Sequence, residues 1–180
     1  QATRHNVGFL VIDLIAERWG RPVFREKFQA EMAQVEVPGA AGKERLVLLK
    51  PQTFMNLSGQ SVQPATVFFK EAPADVLVIH DELDLPLGRL QLKDGGGSGG
   101  HNGLKSVTER LGTPGYKRLR LGIGRPPSDF RGDVADFVLQ GFSPSEETLV
   151  SDLVSRAADA VECLALRGLS SAMNLINRRS

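Results

Sequence analysis

Two short, continuous apolar runs constrain most tightly what this chain can fold into. Leu46–Leu49 and Val76–Ile79 consist only of aliphatic residues. Strands that are covered on both faces of a sheet show such runs, because neither side of the strand meets water. Strand and helix patterns then alternate along most of the 180 residues. We therefore predict an α/β fold: a single domain over residues 1–180 with three layers (α/β/α), in which helices flank a twisted, mixed but largely parallel central sheet.

The remaining elements follow from helical periodicity, two-residue alternation and the turn residues between them. A helix is expected from Val7 with Asn6 as its cap, and a capping box at Ser143–Glu146 opens a long helix that ends at Gly168. Other helices are expected over 59–70, up to Gly112 and from Ser170, and strands over 28–37, 45–50, 76–79, 87–93 and 118–124.

The composition is that of an ordinary globular protein and narrows the function only by exclusion. Formal net charge is +1, which argues neither for nor against a nucleic-acid partner, since clustering of basic residues matters more. Cys163 is the only cysteine, so an intrachain disulfide is excluded and a cytoplasmic protein is expected. No apolar run approaches the ~20 residues that span a bilayer, so no membrane partner is expected. The three histidines show no paired ligand spacing, and neither a metal nor another cofactor is expected.

Polar residues follow the predicted buried strands, where ligands bind in open α/β sheets. Asn56 comes after the strand at 45–50, and Asp81 comes directly after the strand at 76–79. His101-Asn102 ends a glycine-rich tract that precedes a helix, and His5-Asn6 stands at the start of the first helix. These four groups are candidates for one site.

His5 has a physical reason to act as a base. It lies just before a helix N-terminus, where the positive end of the dipole disfavours the imidazolium, so a neutral ring can accept a proton from water. Asp81 is expected to hold one ring N–H and to fix the tautomer, as the carboxylate of a hydrolytic triad does. A surface histidine at a helix start and a turn aspartate are the alternatives. His80 ends an apolar strand, and we expect a packed core histidine.

The glycine-rich tract, Gly95–Gly103, matches neither of the common nucleotide-binding loops. It lacks the Lys of a P-loop, and it lies too far along the chain for a dinucleotide fingerprint. It is either a floppy surface loop or a loop that leads into a helix N-terminus able to receive a phosphate or a carbonyl oxygen.

Taken together, five segments closely resemble the bacterial-type peptidyl-tRNA hydrolase family. They occur in order along the chain, and each carries polar residues at strand or helix ends. The segments are Thr-Arg-His-Asn-Val-Gly-Phe (3–9), Lys-Pro-Gln-Thr-Phe-Met-Asn-Leu-Ser-Gly (50–59), His-Asp-Glu-Leu-Asp-Leu-Pro (80–86), Gly-Gly-His-Asn-Gly-Leu-Lys (99–105) and Leu-Arg-Leu-Gly-Ile-Gly-Arg-Pro (119–126).

The resemblance implies hydrolysis of the ester that joins a peptide to the terminal ribose of tRNA, which recycles tRNA from peptidyl-tRNA. By matching motifs, His5 is the catalytic base and Asp81 its partner. Asn56 contacts the peptide and helps to position the water or polarise the carbonyl, and Met55 lines the peptide groove. The dipeptide His101-Asn102 binds the substrate beside the scissile ester. The resemblance implies a monomer without metal or cofactor, with peptidyl-tRNA as partner.

The resemblance also implies a clamp on the tRNA 5′-phosphate, formed by Lys93 and Arg120, with Lys105 as an addition to this surface. Phosphate contacts supply affinity without reading sequence, which suits an enzyme that accepts many tRNAs. For each basic residue taken alone, a solvated strand or helix face remains the alternative.

The chain departs from the family pattern upstream of the first motif. The family has a strand there that ends in a Gly-Asn-Pro-Gly turn, and the Asn of that turn is a site residue. We therefore expect the natural protein to extend upstream of Gln1.

Two other functions stay open at the level of sequence. One is a non-catalytic RNA-binding scaffold, as in some plant organellar splicing factors similar to these hydrolases. The other is a hydrolase for small esters unrelated to RNA. The set of four polar site positions favours catalysis over a scaffold, and Lys93 and Arg120 argue against a small-ester substrate.

Overall fold

The computed structural model describes residues 3–177, so the ends of the predicted domain, residues 1–2 and 178–180, lie outside the described residues. It is an α/β fold with six α-helices and two three-stranded sheets in the described part of the chain. The helices are α1 (Val7–Arg18), α2 (Gly59–Phe69), α3 (Asn102–Leu111), α4 (Val134–Val138), α5 (Glu147–Arg167) and α6 (Leu169–Asn177). The strands are β1 (Arg25–Lys27), β2 (Ala30–Gly39), β3 (Gly42–Pro51), β4 (Leu77–Glu82), β5 (Leu90–Asp94) and β6 (Lys117–Gly122).

The first sheet is an antiparallel meander in the order β1-β2-β3, and the second has the order β4-β6-β5. In the second sheet β4 runs parallel to β6, with Ile79 opposite Leu119, while β5 runs antiparallel to β6, with Leu92 opposite Leu119. Since β6 lies between β4 and β5, the chain returns to the middle of the sheet after α3.

The expectation of a largely parallel sheet is wrong for residues 3–177. Only β4 and β6 pair in parallel, and the other pairs are antiparallel. The reason is the length of the connections: β2 and β3 are joined by a tight turn at Gly39–Gly42, which permits only a hairpin. A parallel pair needs a long crossover, and only the connection through α3 between the two strands of the second sheet provides one here.

The expected helices and strands are present, with bounds that differ by a few residues. Asn6 is the N-cap of α1, but its side chain makes no capping hydrogen bond. The box predicted at Ser143 forms in part: its N–H donates to Glu146 Oε2 at 2.8 Å, and α5 begins only at the next residue. The short elements β1 and α4 were not predicted, because they are too brief to show a period.

Helices cover both faces of the second sheet. Consecutive residues of a strand point to opposite faces, and Val78 and Ile79 of β4 belong to two different apolar clusters. The larger cluster joins leucines of β5 and β6 to α1, α5 and α6. The smaller cluster joins β4 to α2 and α3 around Tyr116. These two clusters fix the positions of α1 and α3, which carry the candidate site residues at their N-terminal ends.

Strands β3 and β4 are edge strands, each at the end of its own sheet. Residues of both strands, together with one side of α1, line a cavity of about 960 Å³. Helix α1 contacts both of these strands. No helix in the described part of the chain is long and apolar enough to cross a membrane.

Candidate active site

His5 and Asp81 are in direct contact, although they are 76 positions apart. His5 lies in a short 3₁₀ turn, Arg4–Asn6, that leads into α1, and its Nδ1 is 2.9 Å from Asp81 Oδ2. The helix can come this near to β4 because Gly8 has no side chain: a Cβ there would collide with the backbone carbonyl of Ile79. The local sequence thus brings the end of β4 against the start of α1.

Asp81 also accepts a hydrogen bond from a second histidine. His101 Nε2 is 2.8 Å from Asp81 Oδ1, so each carboxylate oxygen contacts a different imidazole. The Asp81 side chain is only 4% exposed. Burial raises the pKa of this carboxyl, but the hydrogen bonds from His101 and His5 outweigh burial and hold the pKa well below the usual range. Asp81 is therefore ionised and can only accept hydrogen bonds.

The hydrogen bonds of His101 assign its tautomer. The residue is the N-cap of α3, where its Nδ1 accepts from the backbone N–H of Leu104 at 3.2 Å. An Nδ1 that accepts a hydrogen bond carries no proton, so the proton of the ring is on Nε2 and is donated to Asp81. Both ring nitrogens of His101 are therefore engaged in hydrogen bonds.

His5 is left as the histidine with a free lone pair. Because ionised Asp81 accepts at Nδ1, the Nδ1 of His5 carries a proton, and in the neutral ring Nε2 is the unprotonated nitrogen. The His5 side chain is 20% exposed, and its ring centroid is 5.5 Å from that of His101. A neutral imidazole that is oriented by a carboxylate and partly open to solvent can remove a proton from a water molecule.

His5, Asp81 and His101 also meet the distance criterion for a metal site, since one donor atom of each lies within 4.8 Å of the others. Hydrogen bonds already account for this grouping, because each ring nitrogen contacts its own carboxylate oxygen. A metal ion would have to displace both bonds, and a second nitrogen of His101 is occupied by α3. The donor set fits proton chemistry better than metal ligation.

His80 is a packed histidine, as its position at the end of an apolar run predicts. It is 5% exposed, and its Nδ1 lies 2.8 Å from the backbone oxygen of Asp81. Burial lowers the pKa of His80 to about 4. Its ring meets that of His101 edge-on, with centroids 5.1 Å apart. His80 therefore packs as a neutral ring behind His101.

The segment with Met55 and Asn56 forms a 3₁₀ turn that packs against the first turn of α3. The approach is close, because a Cβ at Gly103 would lie 2.7 Å from Met55 Sδ. Met55 lines the cavity together with His5, whereas Asn56 is exposed. Asn102 is exposed at the first position of α3. The two asparagines make no side-chain hydrogen bond within residues 3–177, so their amides are available to a ligand.

Of the three predicted phosphate ligands, Lys93 and Arg120 lie on adjacent strands of the second sheet. Gln91 is opposite Arg120 in the register and Lys93 is two residues further along, so both basic side chains project from one face. Arg120 is not free, because it donates to Glu82 Oε1 at 2.8 Å and to Gln91. Lys105 is exposed on α3.

The sequence interpretation missed the contact of His101 with Asp81 and the role of Arg118. Arg118 is 4% exposed and donates to backbone carbonyls of the glycine-rich loop. The available signal was its place in the alternation of arginines and leucines along β6, which shows that Arg118 and Arg120 share a face. That signal does not show that one arginine is buried and the other is not.

Three comparisons show which known proteins this chain is similar to. A family model described as peptidyl-tRNA hydrolase matches residues 1–180. A peptidyl-tRNA hydrolase of Sorangium cellulosum is 50% identical over 178 residues, which cover 99% of this chain and 78% of the relative. One of Trichlorobacter lovleyi is 49% identical over 180 residues, covering 100% of this chain and 90% of the relative. The crystal structure of peptidyl-tRNA hydrolase from Acinetobacter baumannii is similar with a TM-score of 0.86 and 38% identity, covering 97% of this chain and 86% of that one.

Proposed function

We propose, since this chain belongs to the peptidyl-tRNA hydrolase family, that it hydrolyses the ester between peptide and tRNA and releases both products, so that the tRNA is recycled. The family predicted from the sequence motifs is thereby confirmed. The observation that carries the proposal for the site is the contact of His5 with the buried, ionised Asp81, since it leaves one imidazole nitrogen free to activate water.

In the proposed reaction, His5 Nε2 takes a proton from water as the oxygen attacks the ester carbonyl. Asp81 stabilises the imidazolium that forms, because its carboxylate already accepts the Nδ1 proton. When the carbonyl is restored, the ester bond to the ribose oxygen breaks, and the proton returns from His5 to that oxygen. The peptide leaves as a carboxylic acid and the tRNA with a free hydroxyl, so no further reactant is needed.

We expect the substrate groups to bind around this base. Asn56 and Asn102 carry exposed amides at the two turns that flank the site, and an amide N–H is suited to a carbonyl oxygen that becomes negative. Met55 supplies an apolar wall for the peptide. His101 acts on Asp81 more than on the substrate, because both of its ring nitrogens are already engaged.

The tRNA phosphate is proposed to bind at Lys93 and Arg120, with Lys105 of α3 as an addition to this surface. The two strand residues lie on one face of adjacent strands. The Nη2 atom of Arg120 is 2.5 Å from Glu82 Oε1. A phosphate therefore has to compete with this carboxylate for the guanidinium. The competition predicts that Lys93 contributes more than Arg120 to phosphate affinity.

We further propose a three-layer domain over residues 1–180, because helices cover both faces of the second sheet. We also propose that the protein is a cytoplasmic monomer. Size-exclusion chromatography with light scattering tests the oligomeric state.

The function is tested with N-blocked aminoacyl-tRNA, by comparing the intact protein with His5→Ala and Asp81→Asn. Loss of the base or of its orienting carboxylate is expected to lower kcat on the order of 100- to 10,000-fold. Asp84→Asn is the matched control, because Asp84 is an exposed carboxylate of the following loop that pairs with Arg125.

Full activity of His5→Ala would contradict the assignment of the base. Tight RNA binding without any turnover by the unmodified protein would favour an RNA-binding scaffold. Hydrolysis of small esters but not of peptidyl-tRNA would favour the third alternative.

A further inference from the structure

The glycine-rich loop between β5 and α3 is attached to the sheet by a buried arginine. Arg118 Nε donates to the carbonyl of Gly95 at 3.0 Å, and Nη1 donates to the carbonyl of Gly97 at 2.5 Å. The N–H of Gly95 donates to the carbonyl of Tyr116 at 2.9 Å. The start of the loop is thus fixed to β6 and to the residue that precedes it.

The loop needs such contacts, because its own sequence does not select a conformation. Four of its glycines have positive φ angles, between 57° and 108°: Gly95, Gly96, Gly99 and Gly100. Glycine loses more conformational freedom on ordering than any other residue. The loop ends at His101, whose N–H donates to Ser98 O at 3.0 Å and whose ring contacts Asp81. The path of the loop therefore determines where the His101 ring lies.

The charge of Arg118 has no carboxylate partner among residues 3–177. Its hydrogen bonds go to the two loop carbonyls, and its side chain is 4% exposed. Burial and the nearby Arg120 lower the pKa of Arg118. A buried charge is costly unless polar groups compensate it, and here the carbonyl dipoles of the loop do so. The loop and the guanidinium therefore depend on each other.

We propose that Arg118 is a positioning residue for the reaction, and this inference rests on the proposed hydrolase function. Arg118 holds the glycine-rich loop in one path, so that α3 begins where His101 can donate to Asp81 and Asn102 can meet the substrate. It acts through the loop and does not touch the reacting atoms.

A direct contact with the tRNA phosphate is the competing role, since Arg118 lies opposite Lys93 and two residues before Arg120. The structure disfavours it, because the side chain is almost fully buried and its Nε and Nη1 are directed at the loop. The two roles differ in which kinetic constant they affect.

Steady-state kinetics of Arg118→Met distinguish them. Methionine has a similar length but neither donors nor charge. Two substrates are used: a full N-blocked aminoacyl-tRNA, and a short RNA 3′ end that carries the same ester and no 5′-phosphate. A displaced loop is expected to lower kcat on the order of 100-fold on both substrates with little change in KM. Arg118→Lys is expected to recover part of kcat, because an ammonium can reach one carbonyl.

Lys117→Met is the matched control. Lys117 is on the same strand, and its side chain donates to the backbone carbonyl of Ala74 and not to the loop. The substitution removes the same charge as Arg118→Met does. It is expected to keep kcat. If Arg118→Met only raises KM, and only for the full tRNA, Arg118 binds phosphate and the proposal is overturned. An unchanged kcat overturns it as well, whereas inactivity of the unmodified protein on both substrates contradicts the hydrolase function itself.

A spectroscopic measurement checks the same inference without turnover. The ring nitrogens of His101 are followed by NMR, and in the unmodified protein they are expected to show the Nε2–H tautomer. Arg118→Met is expected to shift these signals. If that variant does not fold, Gly96→Ala tests the contact from the loop side, because its φ is 108° and its Cβ would collide with the guanidinium. Unchanged His101 signals and kcat in Gly96→Ala would overturn the proposal.

Discussion

At the scale of single residues, Asp81 organises the site because its two oxygens serve two different rings. A carboxylate that accepts from two imidazoles fixes two tautomers at once. Since His101 is also the cap of α3, Asp81 ties the start of one helix to the start of another. His5 and the glycine-rich loop are thereby coupled through one buried charge.

His80 makes stability depend on pH in the weakly acidic range. Its folded pKa is about 4, below the ordinary value of 6.5, so the unfolded chain binds more protons between these values. Its contribution is complete above pH 6.5 and is lost as pH falls towards 4. From pH 7 to 4.5, we expect urea denaturation to show a loss of up to on the order of 3 kcal/mol from this residue. His80→Asn is expected to lose less, and an identical pH dependence in that variant would refute the assignment.

Sequence reasoning reached some residues of the site and not others. His5 and Asp81 were predicted as partners because one begins a helix and the other ends a buried strand, and such positions converge in sheets of this class. The contact of His101 with Asp81 was not predicted. It depends on the path of a loop whose glycines allow many conformations, and that path is fixed by Arg118, which is distant in sequence.

At the scale of elements, the site depends on helices that approach their neighbours closely at glycines. Gly8 brings α1 against β4, and Gly103 brings α3 against the Met55 turn. The neighbour at Gly8 is backbone, which cannot move without disturbing the sheet. At Gly103 the neighbours are side chains, Met55 Sδ at 2.7 Å and His101 Cε1 at 2.9 Å.

This difference predicts opposite phenotypes for two alanine substitutions. Gly103→Ala is expected to keep the fold but to lower kcat on the order of 10-fold or more, because Met55 and His101 must shift. Gly8→Ala is expected to lower the free energy of unfolding by about 1–3 kcal/mol, as overpacking does. Thermal denaturation and the hydrolysis assay measure both. Normal activity in Gly103→Ala would show that the site tolerates the shift.

The elements themselves were largely predictable, and their arrangement was not. Sequence signals located α1, α3 and α5 well, because each is followed by a glycine that stops the helix. The direction of the strands depended on connection lengths: the tight turn between β2 and β3 makes an antiparallel hairpin, which is one reason the sheet is not largely parallel. The short α4 has five residues and no detectable period.

At the scale of the whole molecule, function depends on where charges lie and not on their sum. A formal charge of +1 gives no sign of an RNA substrate. The structure places Lys93 and Arg120 on one face of the second sheet, and Lys105 is exposed on α3. A polyanion interacts with the local distribution of charged side chains, and the composition does not show that distribution.

This distribution predicts the salt dependence of tRNA binding. Each phosphate contact that is removed is expected to reduce the slope of log K against log salt by about one. Lys93→Ala is expected to show this reduction, and Arg120→Ala a smaller one because Glu82 competes for the guanidinium. Lys43→Ala is the control, since Lys43 is 81% exposed on the other sheet. Equal slopes for all variants would rule out the clamp.

The hydrogen bonds of the site have a consequence for the reactivity of the three histidines towards electrophiles. The protein has three histidines. Both nitrogens of His101 are engaged, and the ring of His80 is buried. His5 Nε2 is therefore the one imidazole nitrogen in the molecule that an acylating reagent can reach in the folded state. Among the imidazoles, such a reagent is expected to modify His5 alone, so one modified histidine per chain reports an accessible candidate site.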